Sequence, residues 1–417
     1  MEKTAGIIAE YNPLHRGHQF HIQQTRRVTG AESVIVVMSG DYVQRGEPAI
    51  FDKYIRTQMA LQAGADLVIE LPVEYACASA EFFALGSVKI LDCLGIVTDL
   101  CFGSEAGNLA FFLEVSKILT EEPQDYRTLL TDCLRRGMSF PLARQEALLS
   151  YLYSNASGLS AKTLADFKEF LAKPNNILGI EYSKALYQLS SSIIPHTIPR
   201  AGSGYHEEQL CDPSQSYSSA SAIRQAIFSQ KEDLSVLSAH VPRPCLEVFT
   251  SSVCQDLAVK ADDFSLLLHM RLLQENAGSL SSYLDVSRDL ANRIQNLKRQ
   301  YQSFSQFTQL LKTRELTYTR IQRALLHILL GIKKAPPISY VRILGVRKES
   351  RHLLSRIQKS CSLPVAVTPA KALKDLPAHC QEDLRFQTYV CDLYESVRCN
   401  KNQSPFCPES SRPLLVL

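Results

Sequence analysis

Four short apolar runs, rich in β-branched residues, alternate with amphipathic segments over the first 105 residues of the chain. The apolar runs cover residues 4–10, 32–40, 66–72 and 98–104, and the segments between them, 17–30, 52–65 and 79–95, have the spacing of helices. This alternation is typical of a parallel sheet covered by helices on both faces. We therefore predict an α/β, doubly wound, Rossmann-like domain. Ligands bind beyond the carboxyl ends of such strands, so the loops after the four runs should meet at one rim.

The rest of the chain predicts two further regions. Residues 106–170 have the pattern of helices and look like an insertion into the α/β domain, and a last strand is expected within residues 196–206. From residue 231 to residue 417 the pattern is mostly helical. Because 417 residues are too many for one compact core, we divide the chain into a domain of residues 1–230 and a C-terminal region of residues 231–417.

Positive charge is concentrated in one segment of the C-terminal region. Between Arg288 and Lys359 there are 16 lysines and arginines but three acidic residues, whereas the whole chain carries a net charge of only +3. Solvated helix faces usually mix the two signs, so this segment favours binding of a polyanion such as nucleic acid. Arg320 and Arg323 share one helix face with His327. The nearby Tyr318 has a ring that can stack on an unpaired base.

Composition also bounds the compartment. No signal peptide precedes the first apolar run, and no run approaches the roughly 18 residues that a membrane span needs. We therefore expect a cytoplasmic protein without membrane contact. The 12 cysteines include no C-x-x-C pair, so free thiols are expected rather than disulfides or a zinc site. The sequence gives no indication of the oligomeric state.

The loop after the first run reads NPLHRGH, with His15 and His18 on either side of Gly17. A helix that begins here directs unsatisfied N–H groups and the positive end of its dipole toward an anion. The two imidazoles can donate hydrogen bonds to phosphate oxygens, and Gly17 has no Cβ to obstruct a ligand. The alternative is a pair of surface histidines, but the position of the motif after the first strand favours phosphate binding.

A second motif, SSASAIR at residues 218–224, combines hydroxyls at a helix start with an arginine one turn later. Such an arrangement also suits an anion, because hydroxyls, free N–H groups and a guanidinium converge on it. The two motifs together resemble those of the HxGH nucleotidyltransferases, which share their fold with class I aminoacyl-tRNA synthetases. The resemblance implies that Ser219, Ser221 and Arg224 bind the phosphates of ATP.

Five segments resemble one family within that group, the bacterial tRNA(Met) cytidine acetate ligases. They are TAGIIAEYNPLHRGHQFHI, SGDYVQRGEPAIFDKYIRTQMAL, GADLVIELP, KPNNILGIEY and TRIQRALLHILLGI, and the likeness extends from Gly6 to about Val346. It implies that acetate attacks the α-phosphate of ATP to give acetyl-adenylate and pyrophosphate. The acetyl group then passes to the wobble cytidine of elongator tRNA(Met), which becomes N4-acetylcytidine. Mg²⁺ is expected with the ATP, although no carboxylate cage is visible.

We expect His15 and His18 to be catalytic, as contacts to the reacting phosphate. The loop that should wrap ATP consists of Ile7, Ile8, Ala9, Glu10, Tyr11, Asn12, Pro13, Leu14, His15, Arg16, Gly17, His18, Gln19 and Phe20, and Gly103 should let the nucleoside lie against the backbone. The resemblance implies ATP contacts from Asn175 and Arg200 as well, besides those from Ser219, Ser221 and Arg224. Either Asn175 or Arg200 could instead be structural, because an asparagine in a Pro-Asn-Asn loop is often a turn residue, and the sequence does not distinguish Asn175 from Asn176. From the basic segment we expect Arg314, Arg320 and Arg323 to contact tRNA.

The loop after the second run, residues 39–53, groups Gln44, Arg45, Glu47, Asp52 and Lys53. It is either a lid over the adenylate or a contact to the cytidine, or else a surface loop in which Asp52 caps the next helix. Two other functions stay open: a small-molecule adenylyltransferase of the phosphopantetheine or nicotinamide mononucleotide type, and a non-catalytic RNA-binding protein. The first needs no basic segment, and the second has no need of two intact phosphate motifs.

Overall fold

A mostly parallel sheet forms the centre of the protein. The computed structural model describes residues 2–105, 107–155, 161–200, 209–213, 216–229, 234–250, 254 and 257–417. Its strands are β1 (Thr4–Ala9), β2 (Ser33–Ser39), β3 (Tyr42–Val43), β4 (Glu47–Pro48), β5 (Leu67–Leu71), β6 (Asp99–Ser104), β7 (Ile194–Pro199), β8 (Val341–Val346), β9 (Val365–Ala366) and β10 (Leu415–Val416). The four apolar runs of the N-terminal sequence correspond to β1, β2, β5 and β6, so the predicted α/β fold is confirmed.

The strand order places a topological switch next to β1. The sheet runs β10-β8-β5-β2-β1-β6-β7, with β9 beside β8, while β3 and β4 form a separate hairpin. The chain builds outward from β1 through β2 to β5, and then returns to the other side of β1 with β6 and β7. These five strands are parallel, so their carboxyl ends share one rim, as the sequence predicts for the first four of them. Ligands bind at such a switch point.

Helices cover both faces of the sheet. In chain order they are Arg16–Thr29, Lys53–Gln62, Val73–Ala76, Ala80–Cys93, Leu109–Glu121, Gln124–Arg135, Phe140–Asn155, Ala161–Ala172, Pro174–Gln188, Ala220–Phe228, Leu246–Thr250, Ser265–Gln274, Ala277–Leu280, Arg288–Leu297, Phe304–Leu311, Tyr318–Leu330, His352–Ser360, Pro369–Asp375 and Ala378–Asn402. The helices from Leu109 to Ala172 lie between β6 and β7 in sequence, which confirms the helical insertion. The helix Pro174–Gln188 approaches β6 closely, since a Cβ on Gly179 would lie 2.6 Å from the ring of Phe102.

The C-terminal region is mostly helical but also extends the sheet. Strand β8 pairs antiparallel with β5, with Leu67 opposite Val346, and β10 then pairs parallel with β8. The sequence did not indicate these two strands. Side chains from both parts of the chain, such as Leu91 and Ile343, are buried in one hydrophobic cluster. The division at residue 230 stays a prediction, and the central sheet crosses it.

Two expectations from the composition concern the cysteines and membrane-spanning helices. All 12 cysteines are free thiols, and eight of them are buried, as their spacing predicts. Within the residues that the structure describes, no helix combines the length and the apolar character needed to cross a bilayer.

One buried arginine ties together the loops at the rim. The guanidinium of Arg56 is fully buried, and its Nε donates to the carbonyl of Phe51 at 2.9 Å. Its Nη1 donates to the carbonyls of Glu10 at 2.7 Å and Ser39 at 3.0 Å. Its Nη2 donates to the carbonyl of Gly40. The side chain of Arg56 therefore donates hydrogen bonds to the buried backbone carbonyls at the ends of both β1 and β2.

We predict that Arg56→Met lowers the free energy of unfolding by about 3 kcal/mol or more, because it leaves several buried carbonyls without a donor. Urea unfolding measures the change. The exposed Arg27 provides the control Arg27→Met, which should shift the unfolding free energy by no more than about 0.5 kcal/mol. Equal, small changes in the two variants would contradict the role given to Arg56.

Candidate nucleotide-binding site

A cleft opens at the rim where β1 and β6 end. Most of the residues predicted to bind ATP line it: Ile8, Ala9, Glu10, Tyr11, Asn12, His15, Gly17, His18, Phe20, Gly103, Asn175, Arg200, Ser219, Ser221 and Arg224. The structure thus brings together segments that are distant in the sequence. The predicted residues Ile7, Pro13, Leu14, Arg16 and Gln19 are not among the described residues that line the cleft. Ile7 and Leu14 lie in the hydrophobic core instead.

Two histidines form the start of the helix Arg16–Thr29. The Nδ1 of His15 accepts a hydrogen bond from the backbone N–H of Gly17 at 3.0 Å, and the Nδ1 of His18 accepts one from the backbone N–H of His15 at 3.3 Å. A neutral imidazole that accepts at Nδ1 carries its proton on Nε2. The helix cap therefore fixes the tautomer of both rings, and both can donate from Nε2 into the cleft.

The surroundings keep these rings uncharged. Burial lowers the pKa of His15 to about 3, and the positive charge of Arg200 contributes to that lowering. Burial also places the pKa of His18 well below its usual value, assisted by His15, whose ring centroid lies 3.8 Å away. Neutral imidazoles with fixed Nε2–H groups are hydrogen-bond donors rather than cations. They can stabilise charge that develops on phosphate oxygens without first losing a proton.

Gly17 has a different role from the one expected. A Cβ at this position would lie 2.9 Å from Cε1 and 3.0 Å from Nδ1 of His15. The glycine is therefore needed because the imidazole of His15 folds over it, and not only because a ligand approaches the backbone.

A chain of polar side chains crosses from β6 to β7. The side-chain amide of Asn175 donates to Glu105 Oε1 at 2.6 Å, and its oxygen accepts from Arg200 Nη1 at 2.8 Å. Asn175 lies in the first turn of the helix Pro174–Gln188, although the sequence indicated a loop. The side-chain amide of Asn176 is buried and bonds backbone groups of Glu105 and Phe170. Asn175 is therefore the residue of this pair that faces the cleft, and Asn176 is structural.

The second motif meets the first at Arg224. Ser219 caps the helix Ala220–Phe228 by accepting a hydrogen bond from the backbone N–H of Ala222, as the sequence predicts. Arg224 Nη1 donates to the carbonyl of Asn12 at 2.7 Å, and Nη2 donates to Ser221 Oγ at 3.3 Å. The guanidinium therefore links the two motifs directly and places positive charge in the cleft.

The loop after β2 forms one wall of the cleft. The backbone N–H of Gln44 donates to the carboxylate of Glu10 at 2.7 Å, and Arg45 and Glu47 line the cleft. Gly46 adopts a φ of +81°, and a Cβ there would lie 2.5 Å from the backbone of Arg323. The loop therefore packs closely against the helix Tyr318–Leu330, which belongs to the C-terminal region.

The end of the same loop is structural. Asp52 accepts a hydrogen bond from the backbone N–H of Ile55 at 2.8 Å and so caps the helix Lys53–Gln62, the simpler of the two interpretations of this residue. Lys53 is buried and pairs with Glu70 at 2.8 Å and Glu409 at 2.9 Å. Its inclusion among the polar residues of a lid was wrong, because its ammonium group points into the protein.

The arginines expected to contact tRNA differ in accessibility. Arg314 and Arg320 are exposed, but the side chain of Arg323 is only 17% exposed and its Nε donates to Asp285 at 3.2 Å. His327, which the spacing placed on the same face, is fully buried, and its ring nitrogens lie 3.0 Å from two backbone carbonyl oxygens. The expectation that His327 shares an accessible helix face with Arg320 was therefore wrong. Contact of the three arginines with RNA stays a prediction.

Among the residues of the site that the sequence analysis missed, His21 and Glu105 are polar. His21 lines the cleft one turn after His18, and its Nε2 is buried without a hydrogen-bond partner among the described residues. Burial lowers the pKa of His21 to about 4. The spacing of residues 15, 18 and 21 was the signal for it. Glu105, which orients Asn175, directly follows the fourth apolar run, so its place at the rim was predictable, but no motif indicated its contact with Asn175.

Comparison with known proteins identifies the family. The model of the HIGH nucleotidyl transferase family matches residues 1–406. The tRNA(Met) cytidine acetate ligase of Acetivibrio thermocellus is 37% identical over 411 residues, which cover 96% of each chain. The chain belongs to the tRNA(Met) cytidine acetate ligase family, within the HIGH nucleotidyl transferases. The sequence resemblance and the fold expected from it are thereby confirmed.

Solved structures of the family have the same fold. A crystal structure of Thermotoga maritima TmcAL in its apo form shares 30% sequence identity with the chain and superposes with a TM-score of 0.90, covering 100% of this chain and 99% of that one. A second structure of that protein, bound with alpha-thio ATP, superposes with a TM-score of 0.87 over 99% of each chain. Among the described residues of this chain, no group of three or more His, Cys, Asp or Glu side chains is arranged to hold a metal ion.

The neutral histidines predict a pH dependence of stability. An unfolded histidine binds a proton below a pH of about 6.5, whereas His15 in the folded protein does so only at about 3. Between these values the unfolded state binds more protons, so the free energy of unfolding falls as the pH is lowered, by about 1.4 kcal/mol per pH unit for one such group. We expect His15→Asn, which retains a capping side chain, to have a shallower slope between about pH 6.5 and 4.5. Denaturant titrations measure both slopes, and parallel curves would exclude the buried neutral state of His15.

Proposed function

We propose that the protein is an ATP-dependent ligase that activates acetate as acetyl-AMP, with release of pyrophosphate, and transfers the acetyl group to the wobble cytidine of elongator tRNA(Met). The observation that carries this proposal is the cleft in which His15 and His18, as neutral Nε2–H donors, face the same space as Arg200 and Arg224. The name shared by the curated relatives, tRNA(Met) cytidine acetate ligase, supports acetate and a cytidine of tRNA(Met) as the substrates, and the product would be N4-acetylcytidine.

The first step needs positioning and charge stabilisation more than covalent chemistry from the protein. When acetate attacks the α-phosphate in line, negative charge grows on the phosphate oxygens and on the departing pyrophosphate. The Nε2–H groups of His15 and His18 would donate hydrogen bonds to the α-phosphate oxygens. The guanidinium groups of Arg200 and Arg224 would attract the triphosphate. The N–H groups at the starts of the helices Arg16–Thr29 and Ala220–Phe228 would add to this field.

The apolar side of the cleft suits the nucleoside. Phe102, Leu178 and Ile198 line it together with Gly103, so the adenine ring would pack on apolar atoms while the ribose passes over the glycine backbone. Mg²⁺ would enter with the phosphates, which together with water usually supply most of its ligands. The described residues offer no carboxylate cluster for it.

The tRNA would bind to the region of residues 231–417, through the basic segment Arg288–Lys359. A small-molecule adenylyltransferase is less well supported, because relatives named as tRNA(Met) ligases match the chain almost end to end. A non-catalytic RNA-binding protein is less well supported too, because both phosphate motifs are assembled in the cleft. We place the reaction in the cytoplasm, where ATP and tRNA are both present.

We predict that His18→Ala lowers acetate-dependent ATP–pyrophosphate exchange by about 10²- to 10³-fold, the usual effect of removing one donor from a developing anion. Its affinity for tRNA should stay near that of the wild-type protein, because the basic segment is unchanged. The exposed His379 gives the control His379→Ala, with normal exchange. Exchange that depends on a mononucleotide instead of acetate would favour the adenylyltransferase.

We predict that Arg314→Ala combined with Arg320→Ala weakens tRNA binding and reduces the slope of log affinity against log salt by about one for each phosphate that the protein no longer neutralises. Exchange of pyrophosphate should be unaffected, since both side chains are exposed and neither lines the cleft. Filter binding over a series of salt concentrations measures the slope.

The control is Arg385→Ala, on the exposed side of another helix. Equal slopes in all variants would show that Arg314 and Arg320 do not contact the RNA.

A further inference from the structure

A second cleft adjoins the nucleotide cleft. It has a volume of about 280 Å³ and lies between the loop after β2 and the N-terminal end of the helix Tyr318–Leu330. Its described lining includes Lys260, Asp262, Tyr318 and Gln322. Its volume is near the lower limit of about 300 Å³ for small-molecule sites, so it can admit a nucleobase but not a paired stem.

Three described residues, Arg45, Glu47 and Arg224, line both clefts. They therefore mark the boundary at which a group in the second cleft meets a nucleotide in the first. Two of the three are arginines, which cannot accept a proton. Glu47 is the one shared side chain that can, and its carboxylate lies 3.7 Å from the guanidinium of Arg224.

We propose that the second cleft holds the unpaired cytosine base that receives the acetyl group, and that Glu47 is the general base for its amine. This inference rests on the proposed function and deepens it. The chemistry of the lining matches the base, since carboxylates accept hydrogen bonds from the exocyclic amine of cytosine. Proteins that bind unpaired bases also stack them on aromatic rings, and Tyr318 provides a ring in this cleft.

In this arrangement the acyl transfer needs only acetyl-AMP, the cytosine amine and Glu47. The amine nitrogen of cytosine attacks the carbonyl carbon of acetyl-AMP, and a C–N bond forms. The bond between that carbon and the phosphate oxygen breaks, and its electron pair leaves with AMP. The proton released by the amine passes to the carboxylate of Glu47. No further reactant is needed.

The architecture holds Glu47 at this boundary. It lies in β4, opposite Val43 in the hairpin, and the preceding Gly46 packs on the backbone of Arg323 with no room for a Cβ. The loop between the two clefts is thus fixed against the helix that supplies Tyr318. A carboxylate held by a hairpin and a packed glycine is positioned before the base arrives, which favours catalysis.

Glu47→Gln tests the inference, because it keeps the shape of the side chain and removes its basicity. We expect the ratio of acetyl transfer to tRNA over acetate-dependent pyrophosphate exchange to fall by about 10²- to 10³-fold. The affinity for tRNA, measured by filter binding, should be unchanged. Glu382, an exposed residue of the helix Ala378–Asn402, gives the matched control Glu382→Gln.

Each other result of this experiment is decisive. Wild-type transfer by Glu47→Gln would overturn the inference, and so would an equal loss of exchange and transfer, which would mean that Glu47 acts through Arg224 on ATP. If the wild-type protein shows no acetate-dependent exchange, the proposed function itself fails, and the inference fails with it. The two failures are therefore distinguishable.

A second pair of variants tests the base pocket independently of Glu47. Tyr318→Leu removes the ring and should raise the KM for tRNA about tenfold, a typical effect of losing one stacked base. Tyr318→Phe retains the ring and should raise it less. Equal KM values for Tyr318→Leu and the wild-type protein would show that the acceptor base does not occupy this cleft.

Discussion

The rim of the sheet depends on the burial of one guanidinium group. Arg56 fills the space where β1 and β2 end, and its hydrogen bonds satisfy four backbone carbonyls that would otherwise face the interior. Because these carbonyls lie just after β1, at the end of β2 and in the loop after β2, the arginine holds that loop, one wall of the nucleotide cleft, against the end of β1. A buried charge is normally costly, and it is tolerated here because its donors are so fully used.

Function at this rim follows from the way in which a helix begins. Helix caps are usually formed by small side chains with an oxygen acceptor, whereas here two imidazole nitrogens accept the backbone N–H groups. The same hydrogen bonds that start the helix decide which nitrogen of each ring holds the proton. Local structure, tautomer and chemistry are therefore set by one arrangement of His15, Gly17 and His18.

Much of this was accessible from the sequence because it is local. The strands β1, β2, β5 and β6 follow from apolar runs, and the capping by Ser219 follows from its place before a helix. The pairing of β8 with β5 joins strands from opposite ends of the chain, which no local pattern records. Helical spacing placed His327 beside Arg320, but it does not tell which side of the helix is buried. The link from Glu105 to Arg200 through Asn175 required three separate segments to meet.

The antiparallel pairing of β8 with β5 has a consequence for synthesis of the chain. Until residue 346 has left the ribosome, β5 is the edge of a sheet whose other strands can already have formed, and its backbone groups lack a partner. The strand is buried on both faces in the folded protein, so such a nascent chain presents a surface suited to aggregation. Strand β8, from the last quarter of the chain, thus covers the sheet edge left open by β5, so a fragment that ends before residue 341 would keep that edge unpaired.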